Sequence, residues 1–162
     1  LAFFLWTVAV YREDWREYWK ALRPAILTLT TGWSEGFAKF EAGEAPMMVS
    51  YATDGAYSYH AYGSDRYKAF IPTEGAFYQT EYVGVTKGAE NPEQARLFVE
   101  FVLSERFQRE VPLNQWMFPT TPVELPEAYE HAVTSPIHVS LSAAEVSKNL
   151  DQWLAEWEEI MY

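Results

Sequence analysis

The chain has 162 residues, of which 49% are hydrophobic and 17% aromatic, so it can bury a sizeable core and is not a disordered tail. The formal net charge of -11 argues against nucleic acid as a partner, because neutralising phosphates requires a basic face. A cationic ligand suits this charge better. The absence of cysteine excludes disulfides, thiolate zinc sites and thiol nucleophiles.

The N-terminal residues 1–11 form an apolar run that is too short to span a bilayer, which needs about 20 residues. The run has neither the basic flank nor the cleavage site of a signal peptide. We therefore expect a buried helix and a chain that is a piece of something longer. A second helix is predicted over residues 14–22, where Trp15, Tyr18, Trp19 and Leu22 recur on one face.

The next elements predicted are a strand over residues 26–30, a helix over 34–42, a strand over 46–51 and a helix over 54–62. Ser34 is the expected N-cap of the first of these helices and Gly43 its stop. This arrangement would place the rings of Trp33, Tyr51 and Tyr57 in loops around one cleft suited to a flat ring. The alternative for each ring is simple burial in the core, which is the commonest fate of a large aromatic side chain.

In the second half, strands are predicted over residues 67–72 and 77–86. Asn91 and Pro92 indicate a helix start, and a shorter helix over 104–111 should end at Pro112. A proline-rich loop then carries Trp116, and a long helix is predicted over residues 142–161. Alternating strands and helices indicate an α/β chain.

Catalytic and metal sites find little support in the sequence. The three histidines, His60, His131 and His138, lie in unlike segments, and no metal-binding, nucleophile or phosphate-loop motif occurs. Acidic pairs such as Glu158 and Glu159 are better explained as solvent-facing charge on a helix. We therefore predict no enzyme activity, no catalytic residue and no metal site.

Several motifs together resemble one family, and they cover nearly the whole chain. They are GWSE at 32–35, SYAT followed by AY at 50–57, NPEQARLFVEFVLSERFQ at 91–108, VPLNQWMFP at 111–119 and the spacing of AAEV, W and EW over 143–157. In this order the chain resembles the C-terminal half of the periplasmic thiamine-binding proteins of bacterial ABC importers. The resemblance implies a periplasmic-binding-protein-like (type II) two-lobe α/β fold, of which only the C-terminal half is present.

The resemblance also implies a set of ligand-binding residues, a ligand and partners. The ligand-binding residues that it implies are Trp33, Tyr51, Tyr57 and Trp116. We expect Ser34 and Asp54, which lie in the same motifs, to contribute to the site as well. The expected ligand is thiamine or its phosphate esters, with no cofactor, and the expected partner is an ABC permease in the inner membrane. Location should be periplasmic or extracytoplasmic, with a lipoprotein anchor as one form of the full-length protein. Residues 1–76 should belong to the second lobe, and 77–162 should supply a hinge strand and the C-terminal helical part of the first lobe.

The sequence departs from the family at Asp54 and Gly55, where Ser-Pro is commoner; the change adds a carboxylate and flexibility beside Tyr57. The N-terminal half of the family is absent, so we expect the chain to associate with that missing half or with itself. Two alternatives stay open. One is a protein of the same fold that binds a polyamine, a sugar or ferric ion, and the other is a protein-interaction domain with surface aromatics.

Overall fold

The computed structural model describes all residues from 1 to 162, and the chain divides into two compact units. The terminal unit, which contains both chain ends, comprises Leu1–Ser50, Pro72–Gln79 and Ser135–Tyr162. The internal unit comprises Tyr51–Ile71 and Thr80–Thr134. These units interleave along the chain, whereas the sequence predicted one division after residue 76. That division concerns the lobes of a longer protein and stays a prediction.

The secondary structure is mainly helical. In chain order the α-helices are α1 (Ala2–Tyr11), α2 (Trp15–Leu22), α3 (Trp33–Glu41), α4 (Asp54–Tyr62), α5 (Pro92–Val102), α6 (Glu105–Gln108), α7 (Val111–Gln115) and α8 (Ala143–Met161). Three short 3₁₀ helices cover Arg12–Asp14, Arg23–Ala25 and Glu127–His131, and two strands, β1 (Ala76–Phe77) and β2 (His138–Val139), form a parallel pair. None of the helices combines the length and the hydropathy needed to cross a membrane.

The core of the terminal unit forms where α1, α2 and α8 pack together. Phe4, Trp15 and Trp19 are almost fully buried there, and the ring of Phe4 meets Trp15 edge-on at 5.3 Å between centroids. The predicted apolar faces of α2 and α8 both pack into this cluster. Because α8 follows α2 by more than 100 residues, its packing draws the C-terminus of the chain onto the N-terminal helices.

Most predicted helices are confirmed, and two of their ends differ from expectation. Helix α3 begins at Trp33 with Gly32 as N-cap, so the prediction that Ser34 caps it is wrong. The carboxylate of Glu35 instead accepts hydrogen bonds from the backbone N–H and the hydroxyl of Thr31, which ties down the turn ahead of the helix. The other difference is at Pro112, which lies in the first turn of α7 instead of ending a helix, because the first turn of a helix needs no N–H at that position.

The strand predictions over residues 26–30, 46–51 and 67–72 are wrong, and only the start of 77–86 lies in a strand. The pairing that does form joins Ala76 to His138 and Phe77 to Val139. Apolar and β-branched side chains indicate that a segment suits a sheet, but a strand also needs a hydrogen-bonded neighbour. Within this chain the predicted segments have no such neighbour.

Candidate functional site

Two of the six predicted ligand-binding residues, Trp33 and Ser34, belong to the terminal unit. Trp33 is half-buried at the start of α3, and its ring stacks on Phe37 at 4.8 Å between centroids with 13° between planes. Its indole N–H donates to the hydroxyl of Ser50 at 2.7 Å. Ser34 is exposed in the first turn of α3. The bonds from Thr31 to Glu35, which lower the pKa of that carboxyl, fix the turn that leads into Trp33.

The other four residues belong to the internal unit, where Tyr51 and Asp54 form a turn that opens α4. The backbone N–H of Asp54 donates to the carbonyl of Tyr51 at 3.1 Å, and the Asp54 carboxylate accepts from the backbone N–H of Tyr51 at 3.4 Å. This carboxylate therefore lies in the first turn of a helix, where negative charge is favoured by the helix dipole. The Tyr51 side chain is 60% exposed.

A long-range contact among the predicted residues joins Tyr57 and Trp116. Their rings meet edge to face with centroids 5.1 Å apart and planes at 85°, although the residues are 59 positions apart in sequence. Both rings are half-buried, so each keeps a part that a ligand can reach. Tyr62 and His60, both exposed, border the same pair: Tyr62 lies edge-on to Tyr57 at 5.9 Å, and His60 lies 5.6 Å from Trp116.

Trp116 follows α7 in the left-handed region, with φ 54° and ψ 38°. Thr53 donates its hydroxyl proton to the carbonyl of Trp116 at 2.7 Å. The hydroxyl of Tyr129 lies 2.8 Å from the carbonyl oxygen of Pro112 and 3.1 Å from that of Met117. These bonds join the segment that carries Trp116 to α4 and to the 3₁₀ helix at Glu127–His131.

Sequence reasoning missed Thr53, Tyr129, His60 and Tyr62. Two of them carried a usable local pattern: His60 and Tyr62 follow Tyr57 within about one turn of the same predicted helix. No local pattern connects Thr53 or Tyr129 with the segment around Trp116. The bond from Thr53 to Trp116 spans 63 positions, and the bond from Tyr129 to Pro112 spans 17.

Gly55 allows two elements of the internal unit to approach closely. The residue is buried in the first turn of α4, and a Cβ atom placed there would overlap the carbonyl oxygen of His131. Helix α4 can therefore approach the 3₁₀ helix only because residue 55 has no side chain. The small core of Ala56, Ala128 and Tyr129 forms where these two helices meet, and Trp116 packs against it. Tyr57 follows Ala56 on α4.

Two surface cavities are lined by none of the six predicted residues. A cavity of about 550 Å³ in the terminal unit is lined by Arg16, Lys20, Arg23 and three residues of α8. Arg16 pairs there with Glu156, and Arg23 donates to the carbonyl of Met161, so both cations have structural partners. A cavity of about 290 Å³ in the internal unit is lined mainly by residues 65–69 and by His131 and Val133. The candidate site is therefore the ring pair of Tyr57 and Trp116.

Known protein families and solved structures include relatives of this chain. The sequence model described as bacterial extracellular solute-binding protein matches residues 2–109. The chain is similar to the thiamine-binding periplasmic proteins of Escherichia coli (strain K12), with 33% identity over 98% of this chain and 48% of the relative, and of Brucella abortus biovar 1 (strain 9-941), with 38% identity over 97% and 48%.

A solved structure described as periplasmic thiamin binding protein superimposes with a TM-score of 0.89 at 32% identity, over 99% of this chain and 51% of the other. The predicted fold is therefore confirmed as half of a two-lobe α/β solute-binding fold, even though β1 and β2 form the only strand pair within this chain. The chain spans about half the length of the curated relatives it matches. It belongs to the family of bacterial extracellular solute-binding proteins.

Proposed function

We propose that the protein carrying this chain captures thiamine or its phosphate esters outside the cytoplasm and delivers the ligand to an ABC permease in the inner membrane. The observation that carries this proposal is the half-buried, edge-to-face pair of Tyr57 and Trp116. The names of the curated relatives support the choice of ligand. The role requires no catalytic step.

The chemistry of the ring pair suits thiamine. An indole or phenol face attracts the cationic thiazolium with about 0.5–2 kcal/mol per contact, depending on desolvation. The aminopyrimidine is a flat ring that can stack on an aromatic side chain. Asp54 adds a negative charge three residues before Tyr57, on the same helix. The overall charge of -11 favours the approach of a cation as well.

Calorimetry with thiamine on the full-length protein tests the ligand. Trp116→Ala should raise the Kd about tenfold or more, because it removes one ring of the proposed pair. Trp33→Ala, which removes another ring named by the motifs, is expected to raise the Kd as well. Tyr82→Ala is the matched control, since it deletes an aromatic ring that is 91% exposed and outside the site. Unchanged affinity in both tryptophan variants, or tighter binding of a polyamine, a sugar or ferric ion in the same titrations, would defeat the thiamine proposal.

We further propose that this chain associates with the rest of a solute-binding fold, in the same or a separate polypeptide. Two segments of the terminal unit that have no helix or strand carry alternating apolar residues that are between 44% and 67% exposed: Leu27, Leu29, Met47 and Val49. Alternating apolar residues are typical of strands that pair within a sheet. The chain's coverage of about half of its relatives supports an occupant of the same fold.

Light scattering during size exclusion tests this association with the 162-residue chain alone. We expect self-association that disappears when the remaining segment of the fold is added. Met47→Lys with Val49→Lys should prevent both associations, and Lys87→Met is a control for altered charge at an exposed position. A monodisperse monomer that ignores the added segment would contradict the proposal.

A further inference from the structure

The backbone of Trp116 adopts an unfavourable conformation. Its φ of 54° lies in the left-handed region, which residues other than glycine, asparagine and aspartate rarely adopt because Cβ crowds the adjacent carbonyl. Only one other non-glycine residue of the chain, Arg12, has a positive φ. Such a conformation persists when surrounding contacts fix it.

One contact is the hydroxyl of Thr53. This residue occupies the N-cap position of α4, where a threonine hydroxyl ordinarily accepts a backbone hydrogen bond within its own helix. Here it makes no such cap and instead donates to the Trp116 carbonyl at 2.7 Å. The Thr53 side chain is buried, at 5% exposure, so water does not compete freely for the bond.

The second contact is the hydroxyl of Tyr129, which is 6% exposed and shares its proton between the carbonyls of Pro112 and Met117. These two carbonyls lie on either side of Trp116 in sequence. Burial raises the pKa of Tyr129 to about 12, so the hydroxyl remains a donor even at pH values where an exposed tyrosine loses its proton. The Tyr129 ring also meets Phe118 edge-on at 5.3 Å.

We propose that Thr53 and Tyr129 are positioning residues that hold the Trp116 ring against Tyr57 in the orientation that binds the ligand. Neither hydroxyl needs to touch the ligand, because both act on backbone carbonyls at or beside Trp116. The inference deepens the proposed function and rests on it. It predicts that removing either hydroxyl weakens ligand binding through Trp116 alone.

Calorimetry with thiamine on Tyr129→Phe and Thr53→Val tests the effect on binding. Each change should raise the Kd about tenfold, which corresponds to the loss of one well-formed hydrogen bond, and Thr53→Ser should restore affinity. In a Trp116→Ala background the same changes should have no further effect on the Kd, because the ring they position is already absent. An equal loss of affinity in both backgrounds would overturn the proposal.

Matched controls separate positioning from a general loss of stability. Thr121→Val removes another threonine hydroxyl of the internal unit that donates to a carbonyl, that of Leu103 at 2.7 Å. Tyr78→Phe removes a tyrosine hydroxyl that donates to the Ser135 carbonyl at 3.0 Å in the terminal unit. Both controls should leave the Kd unchanged at a temperature where circular dichroism shows all variants folded. A rise in Kd equal to that of the test variants would contradict positioning.

A second measurement does not depend on any ligand. In protein labelled with ¹⁵N-tryptophan, the Trp116 indole resonance is identified by its loss in Trp116→Phe. We expect Tyr129→Phe and Thr53→Val to shift or broaden this resonance, and Thr121→Val to leave it in place. If the unaltered protein ignores thiamine but the resonance moves as expected, the thiamine proposal fails and positioning stands; an unmoved resonance overturns positioning.

Discussion

The two units use the same kind of residue in opposite ways. In the terminal unit, Trp15 and Trp19 are 1% and 4% exposed and build the core together with Phe4. In the internal unit the buried core cluster consists of Ala56, Ala128 and Tyr129, and Trp116 packs on top of it while half-exposed. A ring that fills a core stabilises the fold, whereas a ring held above a small core is available to a ligand.

The polar ends of the rings differ in the same way. Trp19 donates its indole N–H to Thr7, which is itself fully buried, and Trp6 donates to the carbonyl of Gly75. These bonds satisfy groups that burial would otherwise leave without partners. In the internal unit, Thr53 and Tyr129 bond to the backbone around Trp116 and fix its position. In the terminal unit these hydrogen bonds therefore give partners to buried polar groups, whereas in the internal unit they hold the backbone around a ring that remains partly exposed.

The largest expected effect follows from breaking the terminal core. Trp15→Ala should lower the free energy of unfolding by about 3–5 kcal/mol, because it removes a fully buried ring and leaves a cavity. Urea unfolding followed by circular dichroism measures the change. Tyr162→Ala, at a ring that is 90% exposed, should change the stability by less than about 0.5 kcal/mol. A Trp15 variant as stable as this control would show that buried and exposed rings do not differ in their contribution to stability.

A smaller effect is expected where α4 approaches the 3₁₀ helix of the internal unit. Gly55→Ala should cost about 1–3 kcal/mol, because the added methyl group overlaps the His131 carbonyl and the helix must shift. The matched control is Gly84→Ala, where no atom lies within 4 Å of the added Cβ. Thermal unfolding of both variants measures the difference. Equal melting temperatures would show that the close approach is not required.

The smallest effect is a pH dependence that the hydroxyl of Tyr129 should produce. Burial raises its folded pKa from 10.0 to about 12, so the folded state keeps this proton after the unfolded state has lost it. The contribution of this hydroxyl to the free energy of unfolding is complete below pH 10.0 and declines as the pH rises to about 12. Urea unfolding at several pH values between 10 and about 12 measures this decline in the free energy of unfolding. Tyr129→Phe should remove the part that the hydroxyl causes.

Tyr18 of the terminal unit provides the comparison for that titration. Its pKa is also raised, first by burial and then by the charges of Tyr11 and Glu74. Tyr18→Phe should therefore remove a separate part of the decline. If neither variant changes the slope of stability against pH, burial of these hydroxyls does not couple to folding.

Elements that depend on neighbouring residues could be predicted from the sequence, whereas elements that depend on distant residues could not. The periodicity of Trp15, Tyr18 and Trp19 predicts α2 and its buried face, and the Ser142 cap with its bond from the Glu145 N–H begins α8 as expected. The strands could not be predicted reliably, because β1 pairs with residues more than 60 positions away. The cap of α3 was missed because Gly32 and Thr31 compete with Ser34 for the same helix start.

For the predicted ligand-binding residues as well, the sequence did not show which distant residues meet. Tyr57 and Trp116 were named from motifs, and the structure places them in contact, whereas Trp33 and Ser34 lie in the other compact unit. Their joint role in ligand binding remains a prediction, which the tryptophan variants address. The motifs identified the candidate rings but not the hydroxyls of Thr53 and Tyr129 that hold one of them.

The sequence by itself determined the helices, the lack of thiol chemistry, the acidic charge and the family, because these depend on neighbouring residues, composition and motif order. Only the tertiary structure decided which tryptophans are core and which are presented, since burial depends on what packs from distant parts of the chain. It also decided the left-handed conformation of Trp116, because bonds from two remote hydroxyls offset a backbone geometry that local preferences oppose.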